Sequence, residues 1–117
     1  MQIFSTRLHG VLDYLGGLLL IVGPWLLGFA DGGPAQWVPV IIGVAVIGYS
    51  LLTDYELGAL RVIPIRVHIT IDILAGIFLA ASPWLLGFAD VIYWPHLAVG
   101  IAEAIGAACT VRTPSDR

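Results

Sequence analysis

The chain has 117 residues, of which 59% are hydrophobic and only 11% charged, and its formal net charge is −3. A soluble domain carries roughly 25% charged residues, so this chain lacks the charge to cover a water-facing surface. Together with a mean hydropathy of +0.97, this composition predicts a single integral membrane domain. The net negative charge argues against a nucleic-acid-binding surface. The single cysteine excludes an internal disulfide and a cysteine-based metal motif.

Four apolar runs follow one another along the chain, at about residues 7–30, 37–52, 66–89 and 97–111. At 1.5 Å per residue, the first and third are long enough to cross a hydrocarbon core of about 30 Å. The pattern predicts an all-α fold, a transmembrane four-helix bundle in which all 117 residues form one domain.

An eight-residue run occurs twice without change, at residues 24–31 and 83–90, which is an offset of 59 residues. The same offset aligns further identical residues: Arg7 with Arg66, His9 with His68, Asp13 with Asp72, Leu15 with Leu74, Gly17 with Gly76 and Leu20 with Leu79. This is an internal duplication. It predicts repeat one at about 7–57 and repeat two at about 66–112. Two helices per repeat bring both repeats into the membrane from the same side, as parallel repeats about an axis along the membrane normal.

Arginine and tryptophan positions predict the orientation. The arginines lie at the two ends of the chain and in the central connection: Arg7, Arg61, Arg66, Arg112 and Arg117. Under the positive-inside rule, both termini of this multi-pass membrane protein are expected in the cytoplasm. The tryptophans are expected at the outer ends of the four spans, as an aromatic belt: Trp25, Trp37, Trp84 and Trp94.

The repeated run has a structural interpretation as a helix kink and helix end. Pro24 and Pro83 each remove a helical hydrogen bond, and Ser82 is expected to bond back to the Phe78 carbonyl. The two glycines of the run are expected to permit close approach of another backbone. Its remaining members are interpreted as an aromatic pair on one helix face and a turn-capping carboxylate: Trp25, Phe29 and Asp31, and Trp84, Phe88 and Asp90. The alternative is an outer binding pocket lined by the two tryptophan–phenylalanine pairs.

Ser82-Pro83-Trp84 followed by Leu-Leu-Gly-Phe resembles the signature of the SPW repeat family, small bacterial membrane proteins with two transmembrane helices per repeat. The resemblance covers nearly the whole chain, although Gly23 replaces the serine in repeat one. The resemblance implies the fold and a location in the bacterial inner membrane, and it carries no activity.

The candidate polar cluster consists of His9, Asp13, His68, Asp72 and Glu103. Residues four apart share a helix face, so each histidine is expected beside the aspartate of its own helix. Glu103 has no acidic counterpart in repeat one, yet its expected depth brings it close to the two aspartates. Ionisable residues in a membrane span usually face the bundle interior.

Three functions are compatible with this cluster. The first is a non-enzymatic scaffold or accessory subunit without a cofactor, in which the cluster stabilises helix packing. The second is a proton- or ion-conducting transporter that uses the five polar residues. The third is a metal- or haem-binding protein whose ligands include His9 and His68.

The expected partners are the lipid bilayer and a second copy or a larger membrane complex. A stripe of small residues at Ala98, Ala102 and Gly106 is expected to pack against another helix. His96 is expected at the outer membrane interface.

Overall fold

In a computed structural model, residues 4–113 are described, and they form four helices. Helix α1 spans Thr6–Leu26, α2 spans Pro34–Leu51, α3 spans Ile65–Leu85 and α4 spans Trp94–Ala108. Between residues 4 and 113 the only β-type pairings are two isolated bridges, so the prediction of an all-α fold is confirmed. Arg117, used above in the orientation argument, lies outside the described residues.

Helices α1, α2 and α3 are each long and apolar enough to cross a membrane, judged by length and composition. Helix α4 has 15 residues, or about 22 Å at 1.5 Å per residue, and is shorter than the other three. Large apolar side chains on α1 face outward, with Leu12, Leu15 and Leu19 at least half exposed. An outward-facing apolar surface of this kind is expected where lipid replaces water as the solvent.

Two pairs of helices pack through glycine, α1 against α2 and α3 against α4. A Cβ atom added to Gly43 would lie 2.5 Å from the carbonyl oxygen of Gly17, and one added to Gly100 would lie 2.5 Å from that of Gly76. Such close backbone approach is available only to small residues. The two crossings are equivalent. Helices α1 and α3 align at an offset of 59 residues, whereas α2 and α4 align at an offset of 57.

The predicted stripe of small residues on α4 is not the surface that packs. Ala98 and Ala102 are exposed, whereas Gly100 and Ala107 are buried, and Gly100 contacts Gly76 and Ala80 of α3. The crossing point at Gly100 rotates α4 so that the residues at 98 and 102 face outward.

In both repeats the helix ends within the repeated run, at Leu26 and Leu85, before the predicted ends at about residues 30 and 89. Both α1 and α3 stop two residues before a glycine with a φ of 77°, Gly28 or Gly87. The N–H of Phe29 then bonds the carbonyl of Pro24 at 2.8 Å, and the corresponding bond in repeat two is also 2.8 Å. This left-handed residue and its hydrogen bond form a helix C-cap. Among residues 4–113, no neighbouring atom lies within 4 Å of a Cβ position built on either glycine, so the prediction of close backbone approach there was wrong.

The helix end also separates the aromatic pair. Trp25 and Trp84 are more than half exposed, whereas Phe29 and Phe88 are buried. The phenylalanines lie beyond the helix, where the left-handed glycine directs the chain inward. The expectation that the two aromatics share one helix face was therefore wrong. The two aspartates that close the run, Asp31 and Asp90, are exposed, and the Oδ1 atom of Asp31 accepts a hydrogen bond from the Gly33 N–H.

Ser82 donates its hydroxyl to the carbonyl of Leu79 at 2.7 Å, not to that of Phe78. The Leu79 carbonyl is the one that Pro83 leaves without a helical donor. The serine hydroxyl therefore supplies the missing hydrogen bond directly. Repeat one has Gly23 at this position and no equivalent hydroxyl.

His96 lies in the interior and not at an interface, with 2% of its surface exposed. Its Nε2 atom is 2.8 Å from the carbonyl oxygen of Ala35. Its ring packs between Phe29 and Phe88, with centroid separations of 5.3 and 4.9 Å. The phenylalanines of both copies of the repeated run thus enclose one side chain at the end of the bundle formed by the two short loops.

The opposite end of the bundle is closed by the central connection, residues 52–64, and by the segments that flank the helices. Two equivalent bridges form there, Phe4 with Thr110 and Thr53 with Ile63. The carbonyl of Leu51 accepts hydrogen bonds from the N–H groups of Ala59 and Leu60, each at 2.8 Å. The central connection is therefore folded against α2, and it positions side chains beneath the bundle core.

A candidate site between the two repeats

Four of the five predicted polar residues meet in the core, and they are defined here as the inter-repeat cluster: His9, Asp13, His68 and Asp72. All four are buried, and His68 and Asp72 have no exposed surface. The contacts within a helix are 3.2 Å for His9 Nε2 to Asp13 Oδ1 and 3.0 Å for His68 Nε2 to Asp72 Oδ2. The contacts between helices are shorter, at 2.6 Å for His9 Nε2 to Asp72 Oδ2 and 2.9 Å for His68 Nε2 to Asp13 Oδ2. Each histidine therefore lies closer to the aspartate of the other repeat than to the aspartate of its own helix.

A threonine at the end of each repeat fixes the orientation of each imidazole. The Nδ1 atom of His9 is 2.9 Å from the hydroxyl of Thr110, and that of His68 is 2.7 Å from the hydroxyl of Thr53. Each hydroxyl already donates its hydrogen to a backbone carbonyl four residues earlier. A hydroxyl has one hydrogen, so each threonine accepts a hydrogen bond from the histidine Nδ1–H. Both Nε2 atoms consequently face the carboxylates.

Each carboxylate also accepts a hydrogen bond from a tyrosine. Tyr49 of α2 donates to Asp72 Oδ1, and Tyr55 of the central connection donates to Asp13 Oδ2 at 2.9 Å. Burial, with the Asp13 carboxylate beside it, raises the pKa of Tyr55 above its usual value. Tyr55 therefore remains a neutral donor. Both tyrosines come from repeat one, and the equivalent positions in repeat two are Gly106 and Arg112.

Glu103 lies beside the inter-repeat cluster and is not one of its members. It lines a cavity of about 200 Å³ between α1 and α4 that also reaches His9, Asp13 and Gly106. The cavity lies where a side chain equivalent to Tyr49 would project if repeat two had one. The Oε1 atom of Glu103 is buried, and none of residues 4–113 gives it a hydrogen bond.

The cluster does not fit a haem with two axial histidines. The two imidazole rings are edge to face with centroids 5.5 Å apart, and both Nε2 atoms contact the same Asp72 oxygen. A porphyrin plane would have to lie between the two rings, and that space is filled by the carboxylates. The arrangement can instead hold small positive charges, protons or a single metal ion, between nitrogen and oxygen donors.

The tyrosines and threonines around the cluster were not identified from the sequence. A signal for the threonines was present, because an offset of 57 residues aligns Thr53 with Thr110 as well as Trp37 with Trp94. The tyrosines carry no such signal, since neither has an equivalent in repeat two. Arg7 and Arg66, by contrast, are exposed.

Four helices in two equivalent pairs, with buried ionisable residues at their contact, define a small helical membrane protein with an internal duplication. The SPW repeat domain matches residues 7–110, and the chain belongs to the SPW repeat family. No curated protein and no solved structure shows significant similarity to it.

Proposed function

We propose that this protein is a non-enzymatic scaffold or accessory subunit of the bacterial inner membrane, with both termini in the cytoplasm. Its partners are the lipid bilayer and a second copy or a larger membrane complex. The observation that carries the proposal is the pairing within the inter-repeat cluster. Each carboxylate contacts both imidazoles and one tyrosine, so the polar groups are used to hold the repeats together.

Such a cluster fixes the arrangement of the helices more than it adds stability. Removing one partner of a buried ion pair leaves an uncompensated charge and costs about 3–5 kcal/mol. An alternative packing of the repeats would separate these groups in a medium that cannot solvate them. The cluster therefore favours one register of α1 against α3.

The test is the thermal stability of purified Asp13→Asn and Asp72→Asn variants in detergent, with Asp90→Asn as the control because Asp90 is exposed. We expect the two cluster variants to unfold at clearly lower temperatures and the control to match the wild type. In vesicles, wild-type protein should give no proton or ion flux above that of empty vesicles. Cluster variants as stable as the control would contradict the scaffold proposal.

A second candidate function, proton or ion conduction, is favoured by one observation. Glu103 presents a buried carboxyl oxygen without a described partner beside a cavity that reaches His9 and Asp13. A scaffold has no need for such a group, because an unsatisfied buried polar atom is destabilising. Flux driven by a pH gradient in the same vesicles, and lost in Glu103→Gln but not in Asp90→Asn, would establish this function in place of the scaffold.

A further inference from the structure

We propose that the inter-repeat cluster is a binding site for one divalent first-row transition-metal ion. His9 and His68 supply nitrogen through Nε2, and Asp13 and Asp72 supply oxygen. This proposal goes beyond the scaffold function, since the residues that hold the repeats together would do so through a shared ion.

The first argument is distance. The four residues each offer one donor atom, and these atoms all lie within 4.8 Å of one another. Ligands at about 2.0–2.2 Å from a tetrahedral zinc ion are about 3.3–3.6 Å apart. The nitrogen-to-oxygen separations in the cluster run from 2.6 to 3.2 Å. Widening these nitrogen-to-oxygen separations by up to about one ångström brings them to the tetrahedral values.

The second argument is the orientation of the imidazoles. A histidine that binds a metal through Nε2 usually donates its Nδ1–H to a second group, which fixes the ring. Thr110 and Thr53 accept those two hydrogen bonds. The tyrosines that donate to Asp72 and Asp13 hold the carboxylates in the same manner.

The third argument concerns His68. Its Nε2 atom is nearly equidistant from Asp13 Oδ2 and Asp72 Oδ2, at 2.9 and 3.0 Å, yet neither contact has hydrogen-bond geometry. A proton on this atom is therefore directed at neither oxygen. A metal ion in the space between the three atoms does not require that directionality, because each ligand would donate its own lone pair to it.

The fourth argument is charge and donor type. Two aspartates balance the charge of a divalent ion, so the buried site remains neutral, which a membrane interior requires. Two imidazoles with two carboxylates suit zinc, iron and cobalt. Mg²⁺ and Ca²⁺ prefer oxygen ligands alone, and Cu(I) prefers sulfur. The cavity lined by Glu103 borders two of the four ligands, His9 and Asp13.

The experiment uses the full chain purified in detergent with a histidine-free affinity tag, stripped with a chelator and titrated with Co²⁺. We expect one equivalent per chain, with the visible absorption of four-coordinate cobalt, and displacement of that signal by Zn²⁺. His9→Gln and His68→Gln should weaken Co²⁺ binding by at least tenfold. His96→Gln is the matched control, because His96 is a buried histidine at the other end of the bundle, and it should bind as the wild type does.

Tyr49→Phe is a second test that still applies if the histidine variants fail to fold. It keeps all four ligands and removes only the hydrogen bond to Asp72. It should retain one equivalent with several-fold lower affinity. Less than a tenth of an equivalent on the stripped wild type with excess Co²⁺ overturns the metal proposal and leaves the scaffold function standing. Equal binding by wild type, His9→Gln and His68→Gln overturns it as well, because the ion then lies elsewhere.

Discussion

At the scale of single residues, two threonines determine which nitrogen of each histidine faces the carboxylates. The choice follows from hydrogen counting, because the hydroxyls of Thr53 and Thr110 give their only hydrogen to a backbone carbonyl. Each then accepts from Nδ1, and each Nε2 is left for the contact between the repeats. Each threonine, which follows the end of one helix, therefore determines which nitrogen of a histidine on another helix faces the carboxylates.

Thr53→Val should therefore destabilise the protein. The change is nearly isosteric but leaves the Nδ1–H of His68 buried without an acceptor, at a cost of about 1–3 kcal/mol. Thermal unfolding in detergent measures the effect. Thr70→Val is the control, since the Thr70 hydroxyl makes the same bond to the carbonyl four residues earlier on an exposed surface. Equal unfolding temperatures for the two variants would mean that Thr53 does not hold His68.

At the scale of helices, the glycine crossings determine how closely each pair packs. Gly43 and Gly100 let α2 and α4 approach the backbones of α1 and α3. The close approach brings Tyr49 of α2, and the threonines that follow α2 and α4, within reach of the cluster. Helix packing and site geometry thus depend on the same contacts.

Gly100→Ala should separate α3 from α4 and lower the unfolding temperature. The added methyl group would lie 2.5 Å from the Gly76 carbonyl, against backbone atoms that cannot move aside, and overpacking of this kind costs about 1–3 kcal/mol. Gly48→Ala provides the comparison, because its methyl group would meet no neighbouring atom of the described part of the chain within 4 Å. That variant should be as stable as the wild type or slightly more so. A stable Gly100→Ala protein would show that the crossing is looser than described.

The sequence was sufficient for the fold class and for the family, because hydropathy and an exact repeat are local patterns. It also identified His9, Asp13, His68 and Asp72 as a group through the spacing of the duplication. It could not identify Tyr55, which reaches Asp13 only because the central connection folds back beneath the bundle. It misjudged His96 and the role of the repeated glycines, since both depend on where a helix ends.

At the scale of the whole molecule, the two repeats are equivalent in backbone pairing and differ in side chains on one side. Val46 and Tyr49 of repeat one correspond to Glu103 and Gly106 of repeat two. Tyr49 of the first pair donates to Asp72, whereas Val46 lines the same cavity as Glu103 and Gly106. The second pair leaves a cavity and a buried carboxyl oxygen. The two repeats therefore present different groups to the cluster, a tyrosine donor in repeat one and a carboxyl oxygen without a described partner in repeat two.

Glu103→Val gives repeat two the residue that repeat one has at the corresponding position. It should raise the unfolding temperature, because an unsatisfied buried polar group destabilises the fold by about 1–3 kcal/mol. Val46→Glu is the mirror-image change and should lower it. Both are measured by thermal unfolding in detergent. A loss of stability in Glu103→Val would mean that the carboxyl group has a structural partner, which would remove the reason for assigning it to conduction.

The short contacts of the cluster run between repeats, so neither repeat alone contains a complete centre. A chain of one repeat would need a second copy of itself to supply the missing histidine and aspartate, about a true two-fold axis. In such a homodimer every substitution appears twice, and a cavity opened on one side opens on both. Joining the two copies through the central connection removes that restriction. Unlike such a homodimer, the fused chain can carry Tyr49 in one repeat and Gly106 at the corresponding position of the other, so this asymmetry of the centre depends on the fusion.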